Sequence, residues 1–362
     1  MSAAWDGLET SEVWDCHAHL IGTGDGASGI VVSPQTESLL NPAQYARRLF
    51  FLNAGCAHDA PQSVDAAYVA RMQSLVDGMR PGFKLMLYAF ERAHDERGAP
   101  DWEHSMFYVP DAYAQRVAQA HPEYFEWVAS IHPYRADAPA ALEQAKQGGA
   151  RAVKWLPAAM NIDPASPQCD RFYHTLHRLD LPLITHGGLE RAVIGSGEHD
   201  FGNPLRLRRA LDHGVRVVVA HCASMGEDRD IDRGPIGAYV QSFALFERLM
   251  REPRYEELLF GDISAMTQAN RAGPALARVI EEEAWHARVL NGSDYPLPGV
   301  MPVFSVDQLV SLGLIAERAA PILKEIRLHN PLLFDFVTKR ALRSQGKALG
   351  ARVFETRRFF MR

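Results

Sequence analysis

Short apolar runs alternate along this chain with longer segments whose apolar residues recur at helical spacing. Such alternation is typical of β/α units that build a parallel sheet. The apolar runs predict eight strands, at 13–20, 83–90, 126–133, 150–157, 181–187, 215–222, 258–265 and 287–293. Eight successive units favour an α/β fold of the closed (β/α)8 TIM-barrel type over an open, doubly wound sheet.

Helical patterns fill most of the connections, with clear examples at 111–120, 139–147, 169–179, 204–213 and 274–283. Extended loops follow strands 1, 2 and 6. The first loop holds two helices, at about 42–55 and 62–79, and the third contains the charged run 227–233, which we expect to be solvated. These loops begin at the carboxyl ends of strands, the face where barrel active sites form. Helices at about 314–345 then pack on the barrel, so residues 1–362 form a single domain.

Residues that can bind a metal stand at or near the ends of several predicted strands. His17 and His19 lie on strand 1 and point the same way, because successive strand residues face opposite sides of a sheet. The further candidates at strand ends are Lys154, His186, His221 and Asp294. Each is a weak signal alone in a chain with 15 histidines. Together, imidazoles and a carboxylate at one end of a parallel sheet predict a site for a divalent metal such as zinc.

Composition excludes several other classes of function. The net charge of −6 argues against a nucleic-acid surface, because phosphate binding needs clustered Lys and Arg. No apolar stretch reaches the roughly 18 residues of a membrane span, and the first residues lack a signal-peptide pattern. The four cysteines are far apart without C-x-x-C, as in reduced cytoplasmic proteins. We therefore expect a cytoplasmic enzyme with a small-molecule substrate, and a homo-oligomer is compatible with the sequence.

The strand-end segments resemble the amidohydrolase superfamily of metal-dependent barrels, and within it the "amidohydrolase 2" group. The likeness runs from strand 1 to a late helix and rests on these segments: Asp15-Cys-His-Ala-His19, Thr185-His-Gly-Gly188, Ala220-His221, Gly292-Ser-Asp-Tyr-Pro296 and Asn330-Pro-Leu-Leu-Phe334. The resemblance implies that His17, His19 and Asp294 bind the more buried metal, and that His186 and His221 complete the site.

The resemblance leaves the number of metal ions open at one or two, with zinc as the expected ion. In binuclear members a lysine on strand 4 is carboxylated and bridges two metals, and Lys154 lies at that place. Carboxylation needs a neutral amine, so burial or nearby cations must lower the pKa of the lysine. The alternative is an unmodified Lys154 that binds a substrate anion or a carboxylate.

We expect a metal-dependent hydrolase that activates water to cleave a small ester, lactone or amide. Asp294 is the expected proton acceptor, and His221 is the second catalytic candidate. Candidate pocket residues are Asp262 and Ser264 on strand 7 and, for substrate binding, Arg135, Trp155, Arg191 and Tyr295. The chief alternative is a non-oxidative decarboxylase (a lyase) of aromatic acids, with one metal and His221 as proton donor. A barrel that has lost catalysis and only binds a ligand is a remote third.

Overall fold

Eight parallel strands form the centre of the computed structural model, which describes residues 2–190, 192–193, 197–300 and 303–361. All eight strands predicted from the apolar runs are confirmed. They are Trp14–His19 (β1), Lys84–Tyr88 (β2), Phe125–Val128 (β3), Val153–Trp155 (β4), Leu183–His186 (β5), Val217–Ala220 (β6), Leu259–Asp262 (β7) and Val289–Leu290 (β8).

The strands pair in chain order and meet at two seams. Strands β1 to β3 form one sheet and β4 to β8 another. A parallel bridge from Ala129 to Val153 joins β3 to β4, and one from Ala18 to Tyr295 joins β1 to the segment after β8. The Cys16 amide also donates to the Asn291 carbonyl at 3.0 Å. The eight strands therefore form a ring, as expected for a (β/α)8 barrel.

Helices follow the strands and form the outer layer. They are Pro42–Ala54 (α1), Val64–Asp77 (α2), Asp111–Ala120 (α3), Ala138–Gln147 (α4), Pro157–Met160 (α5), Asp170–Arg178 (α6), Arg208–Asp212 (α7), Ser242–Met250 (α8), Pro274–Glu281 (α9), Val306–Ser311 (α10), Ala320–His329 (α11), Pro331–Ala341 (α12), Ala351–Phe354 (α13) and Arg357–Phe360 (α14). The helices expected in the first loop and near the C-terminus are present. No helix within the described ranges is long and apolar enough to cross a membrane.

The barrel interior is filled by side chains from alternate strand positions. Met86 and Tyr88 on β2 belong to this buried cluster, as does Phe260 on β7. The last helix covers the amino end of the ring, where Phe359 packs on Phe260 at 4.5 Å between ring centroids and the Thr356 hydroxyl donates to the Trp14 carbonyl. Because this end is closed by side chains, access to the interior is from the carboxyl ends of the strands.

The three long loops lie over the carboxyl ends, and two of them pair with each other. Val31–Val32 after β1 forms an antiparallel ladder with Phe107–Tyr108 after β2. The expectation of a solvated run at 227–233 holds for Glu227 and for 231–233, which are exposed. It is wrong for Asp228 and Asp230, which are buried, and Glu227–Arg229 forms a strand paired with Tyr239–Gln241. The charge of Asp230 is accommodated because Arg248 on α8 donates to both of its oxygens at 2.7 Å.

Candidate metal centre and active-site cavity

Two histidines and one aspartate meet at the carboxyl end of the barrel. His17 lies on β1, His221 directly follows β6, and Asp294 lies beyond β8. Each offers one ligand atom, and these three atoms lie within 4.8 Å of one another. All three residues are buried. The closed ring thus brings together residues that are more than 270 positions apart in sequence.

Both histidines are oriented by hydrogen bonds on their Nδ1 atoms. His17 Nδ1 donates to Asp262 Oδ2 at 2.9 Å. His221 Nδ1 lies 2.8 Å from the Ser264 carbonyl, which can only accept, so this nitrogen carries the proton. In the neutral imidazoles, Nε2 is then unprotonated and free to bind a metal. Fixing of the ligand tautomer by an outer partner is the usual arrangement in protein metal sites.

Asp294 faces three imidazoles. Its Oδ1 accepts from His19 Nε2 at 3.0 Å and lies 3.5 Å from His17 Nε2, and its Oδ2 lies 3.9 Å from His221 Nε2. Burial alone would raise the pKa of Asp294, but the hydrogen bond from His19 and the neighbouring imidazoles outweigh it and hold the pKa well below its usual range. Asp294 is therefore ionised at neutral pH.

The backbone at the centre departs from regular structure. His221 has a φ of 55° and Asp294 a φ of 61°, in the left-handed region that side chains other than glycine rarely adopt. Asp294 is held there because its amide donates to the His17 carbonyl at 2.9 Å. Asp15 accepts from the amides of His17 and Ser293, which ties β1 to the segment after β8. Strained residues of this kind cluster at functional sites.

The donor set fits a divalent metal ion. Two unprotonated Nε2 atoms and an ionised carboxylate converge from three different strands, and His19 Nε2 points at the same carboxylate. Each ligand atom is buried, and each ligating side chain has a partner that fixes its direction. Nitrogen and carboxylate ligands of this number suit zinc and similar ions in sites that keep an open position for water or substrate.

Lys154 and His186 line the same cavity but lie outside that three-residue group. Burial lowers the pKa of Lys154, and its Nζ lies 5.5 Å from the centroid of the Tyr88 ring. His186 Nδ1 faces Glu190 Oε2 at 3.3 Å. Burial lowers the pKa of His186 to about 4, although Glu190 acts in the opposite direction.

A cavity of about 480 Å³ opens over the centre, and its walls are mostly apolar. This volume is in the range of small-molecule sites. Helix α1 supplies Phe50 and Phe51, and the paired loops supply Val32 and Phe107. Most of the polar groups that line it lie at or near the metal centre: His17, His19, Lys154, His186, Glu190, His221, Gln268, Asn270, Arg271 and Asp294. Thr36, Arg47 and Arg48 line it from the first loop.

Three of the four predicted substrate-binding residues contact other parts of the protein and do not line this cavity. Arg135 binds Glu91 Oε2 at 2.6 Å and also Asp137. Trp155 is fully buried and stacks on Phe172 of α6, with ring centroids 5.3 Å apart. Tyr295 is fully buried against Tyr68. The fourth candidate, Arg191, lies outside the described residues.

Two cavity residues had no sequence signal, and the role of a third was missed. Glu190 and Arg271 lie in loops after β5 and β7, where no periodicity singles them out. Asp262 was a pocket candidate only, yet it binds both His17 Nδ1 and the His221 amide. Its position at the end of β7 could have indicated this, because neighbouring strand ends lie side by side.

Comparison with solved structures finds similar proteins at low sequence identity. The 5-carboxyvanillate decarboxylase from Novosphingobium aromaticivorans, solved with manganese, is 10% identical, with a TM-score of 0.51 over 97% of this chain and 98% of that one. An uncharacterized TIM-barrel protein from Bordetella bronchiseptica is 18% identical, with a TM-score of 0.49 over 90% and 98%. A candidate 2-pyrone-4,6-dicarboxylic acid hydrolase from Pseudomonas putida is 15% identical, with a TM-score of 0.49 over 96% and 97%.

Sequence comparison is decisive for the family. Among curated proteins, no sequence matches significantly. The family model described as amidohydrolase matches residues 14–303, which include the candidate ligands from His17 to Asp294. Because this match covers most of the 362 residues, the chain belongs to the amidohydrolase family.

Proposed function

We propose that this protein is a metal-dependent hydrolase that cleaves a small ester, lactone or amide with an apolar body. The observation that carries the proposal is the convergence of His17 Nε2, His221 Nε2 and the Asp294 carboxylate beneath an apolar cavity. The amidohydrolase family match supports it. A divalent ion held by His17, His221 and Asp294, which we expect to be zinc, would polarise the scissile carbonyl and lower the pKa of bound water. His19 would join these ligands if its Nε2 gave up the proton that it donates to Asp294.

Asp294 is the proton acceptor in this proposal. It is ionised at neutral pH, and its Oδ2 is not engaged by His19, which binds Oδ1. A water molecule beside Oδ2 can therefore pass its proton to Asp294, which can later deliver it to the leaving group. The hydrogen bond from His19 to Oδ1 keeps the carboxylate in place, and the apolar walls exclude bulk water from the reacting groups.

We propose a single metal and an unmodified Lys154. His186, the other candidate ligand for a second ion, faces Glu190 rather than the three-residue group. The amine of Lys154, whose pKa is lowered by burial, then lines the cavity as a hydrogen-bond donor to the substrate. Lys154 and Arg271 are the buried cations that face negative charge developing on the substrate.

The decarboxylase alternative is less well supported by the geometry of His221. That role needs a proton on the cavity side of the ring, but the Nδ1 proton is given to the Ser264 carbonyl and Nε2 faces Asp294. The decarboxylase alternative is nevertheless included in the test below. The reason is the likeness to 5-carboxyvanillate decarboxylase, which was solved with manganese and has a similar fold.

The test is a substrate panel with metal-loaded protein. Aryl esters, lactones and anilides are assayed for hydrolysis, hydroxybenzoic acids are assayed for carbon dioxide release, and elemental analysis counts zinc and manganese. We expect hydrolysis, about one metal per chain and no carbon dioxide. Asp294→Asn keeps an oxygen ligand but cannot accept a proton, so turnover should fall by roughly 10²–10⁴-fold. Carbon dioxide release without any hydrolysis would replace the hydrolase with the lyase.

A further inference from the structure

Arg271 is a buried cation that faces the cavity, and no residue in the described part of the chain forms an ion pair with it. It lies in the loop between β7 and α9, is 8% exposed, and lines the cavity beside the metal centre. Its Nη1 donates to the Ser224 hydroxyl at 3.3 Å, and its buried Nε has no hydrogen-bond partner. Within the described ranges, no carboxylate oxygen lies at ion-pair distance from this guanidinium.

The acidic groups nearest to Arg271 are committed to other partners. Glu190 has the strongest charge interaction with it, but Glu190 faces His186 and accepts from the amides of Ala192 and Val193. Asp294 is held by His19. The carboxylates around the cavity therefore contact imidazoles and accept hydrogen bonds from backbone amides rather than from Arg271.

Leaving a nine-tenths buried arginine without a carboxylate partner is costly. Burial lowers the pKa of Arg271, yet a guanidinium keeps its proton in proteins. By contrast, Arg135 near the barrel end is paired with Glu91, and Arg48 at the cavity mouth is paired with Glu37. A buried and uncompensated charge is strongly unfavourable unless a partner arrives. In an open cavity, that partner can be a ligand.

We propose that Arg271 binds a carboxylate of the substrate, so that the enzyme acts on an anionic, carboxylate-bearing compound. The guanidinium fork matches a carboxylate geometrically, with two parallel N–H···O bonds. The apolar body of the substrate then lies against Phe50, Phe51 and Phe107. This inference adds a substrate class to the proposed hydrolase. It rests on that proposed function only for the type of reaction, and not for the binding of the carboxylate.

Two probes of the same shape and different charge test the proposal: naphthalene-2-carboxylate and naphthalene-2-carboxamide. Their binding to metal-loaded protein is measured by titration calorimetry, without any turnover. The wild-type protein should prefer the carboxylate by about 10- to 100-fold, as expected for hydrogen bonds between charged groups. Equal affinities in the wild-type protein would overturn the proposal outright.

Variants then assign the preference to one cation. Arg271→Gln should reduce it to about twofold or less, and Arg271→Lys should keep part of it. Arg48→Gln, which removes a cavity arginine that is already paired with Glu37, should keep all of it. Thermal unfolding checks the fold of each variant, and if Arg271→Gln does not fold, Arg271→Lys and the wild-type comparison decide. A preference that survives in Arg271→Gln would place the anion on the metal or on Lys154 and refute the assignment.

The experiments distinguish failure of the proposed anion site from failure of the proposed hydrolase activity. Protein that binds the carboxylate through Arg271 but hydrolyses no member of the panel supports the anion site and contradicts the hydrolase. Protein that hydrolyses neutral esters and binds both probes equally supports the hydrolase and contradicts the anion site.

Discussion

Asp262 at the end of β7 orients the metal centre without facing the cavity itself. It is fully buried. Its Oδ2 accepts from His17 Nδ1 at 2.9 Å, and its Oδ1 accepts from the amides of His221 at 2.9 Å and Ser264 at 3.0 Å. Asp262→Asn keeps one oxygen for the two amides but turns an NH₂ group toward His17 Nδ1. We expect His17 then to accept at Nδ1 and to carry its proton on Nε2, the nitrogen that the metal needs, because the Ser264 hydroxyl, 3.0 Å from Nδ1, is the other acceptor there and is itself directed at Asp262 and His221.

The magnitude follows from that tautomer change. Loss of an outer partner of a histidine ligand typically costs 10- to 100-fold in metal affinity, or about 1.4–2.7 kcal/mol. Stability falls as well, because a buried charge-assisted hydrogen bond contributes about 1.5–3 kcal/mol. We expect both effects in Asp262→Asn, with unchanged cavity walls.

Zinc affinity is measured by competition with a chromophoric chelator, and stability by urea unfolding. Asp111→Asn is the matched control, because Asp111 accepts from the Ser130 amide at 2.7 Å outside the cavity and should leave the affinity unchanged. If Asp262→Asn binds zinc as tightly as the wild-type protein, the inferred tautomer of His17 is wrong.

Three further changes address the ligands, the metal count and the acid stability. Replacing His17 and His19 together by Ala should remove the metal and activity while the barrel stays folded, as checked by elemental analysis and circular dichroism; metal-free wild-type protein never exposed to chelator would contradict the site. Lys154→Met should leave about one metal per chain and lower turnover; a fall from two metals to one would instead reveal a bridging carboxylated lysine. His132 is fully buried with Nε2 2.9 Å from the Met160 carbonyl, and burial lowers its pKa from 6.5 to about 3. Below pH 6.5 the His132 imidazole takes up a proton in the unfolded chain but not in the folded one. Its contribution to the free energy of unfolding is therefore complete above pH 6.5 and is lost as the pH falls toward 3, by about 2 kcal/mol between pH 7 and 5. Urea unfolding of the wild-type protein and of His132→Gln should show this difference in slope, and parallel pH profiles would refute it.

The sequence predicts the barrel because its signal is local and repeated. Each strand is a buried apolar run, and each long helix shows its own periodicity, so errors are confined to boundaries. The metal centre is predictable for the same reason: His17, His221 and Asp294 each end or follow such a run, and parallel strands place those ends on one face.

Side-chain direction at a strand end is partly predictable too, and the structure shows how. Lys154 lines the cavity, so its neighbour Trp155 points to the opposite side and packs on Phe172 in the helix layer. Tyr295 likewise follows Asp294 and points away to Tyr68. Strand alternation argues against a lysine and the adjacent tryptophan both facing the cavity.

Charge partners are the part that the sequence could not supply. Arg135 and Arg271 are both arginines in loops after strands, and nothing in the order of residues separates them. The fold places Glu91 beside Arg135 and satisfies it, whereas the acid nearest to Arg271 is drawn away by His186. Whether a cation is structural or available to a ligand thus depends on contacts between distant segments. For this reason the anion site that we propose is at Arg271, where no described carboxylate forms an ion pair, rather than at Arg135, which the sequence offered for substrate binding.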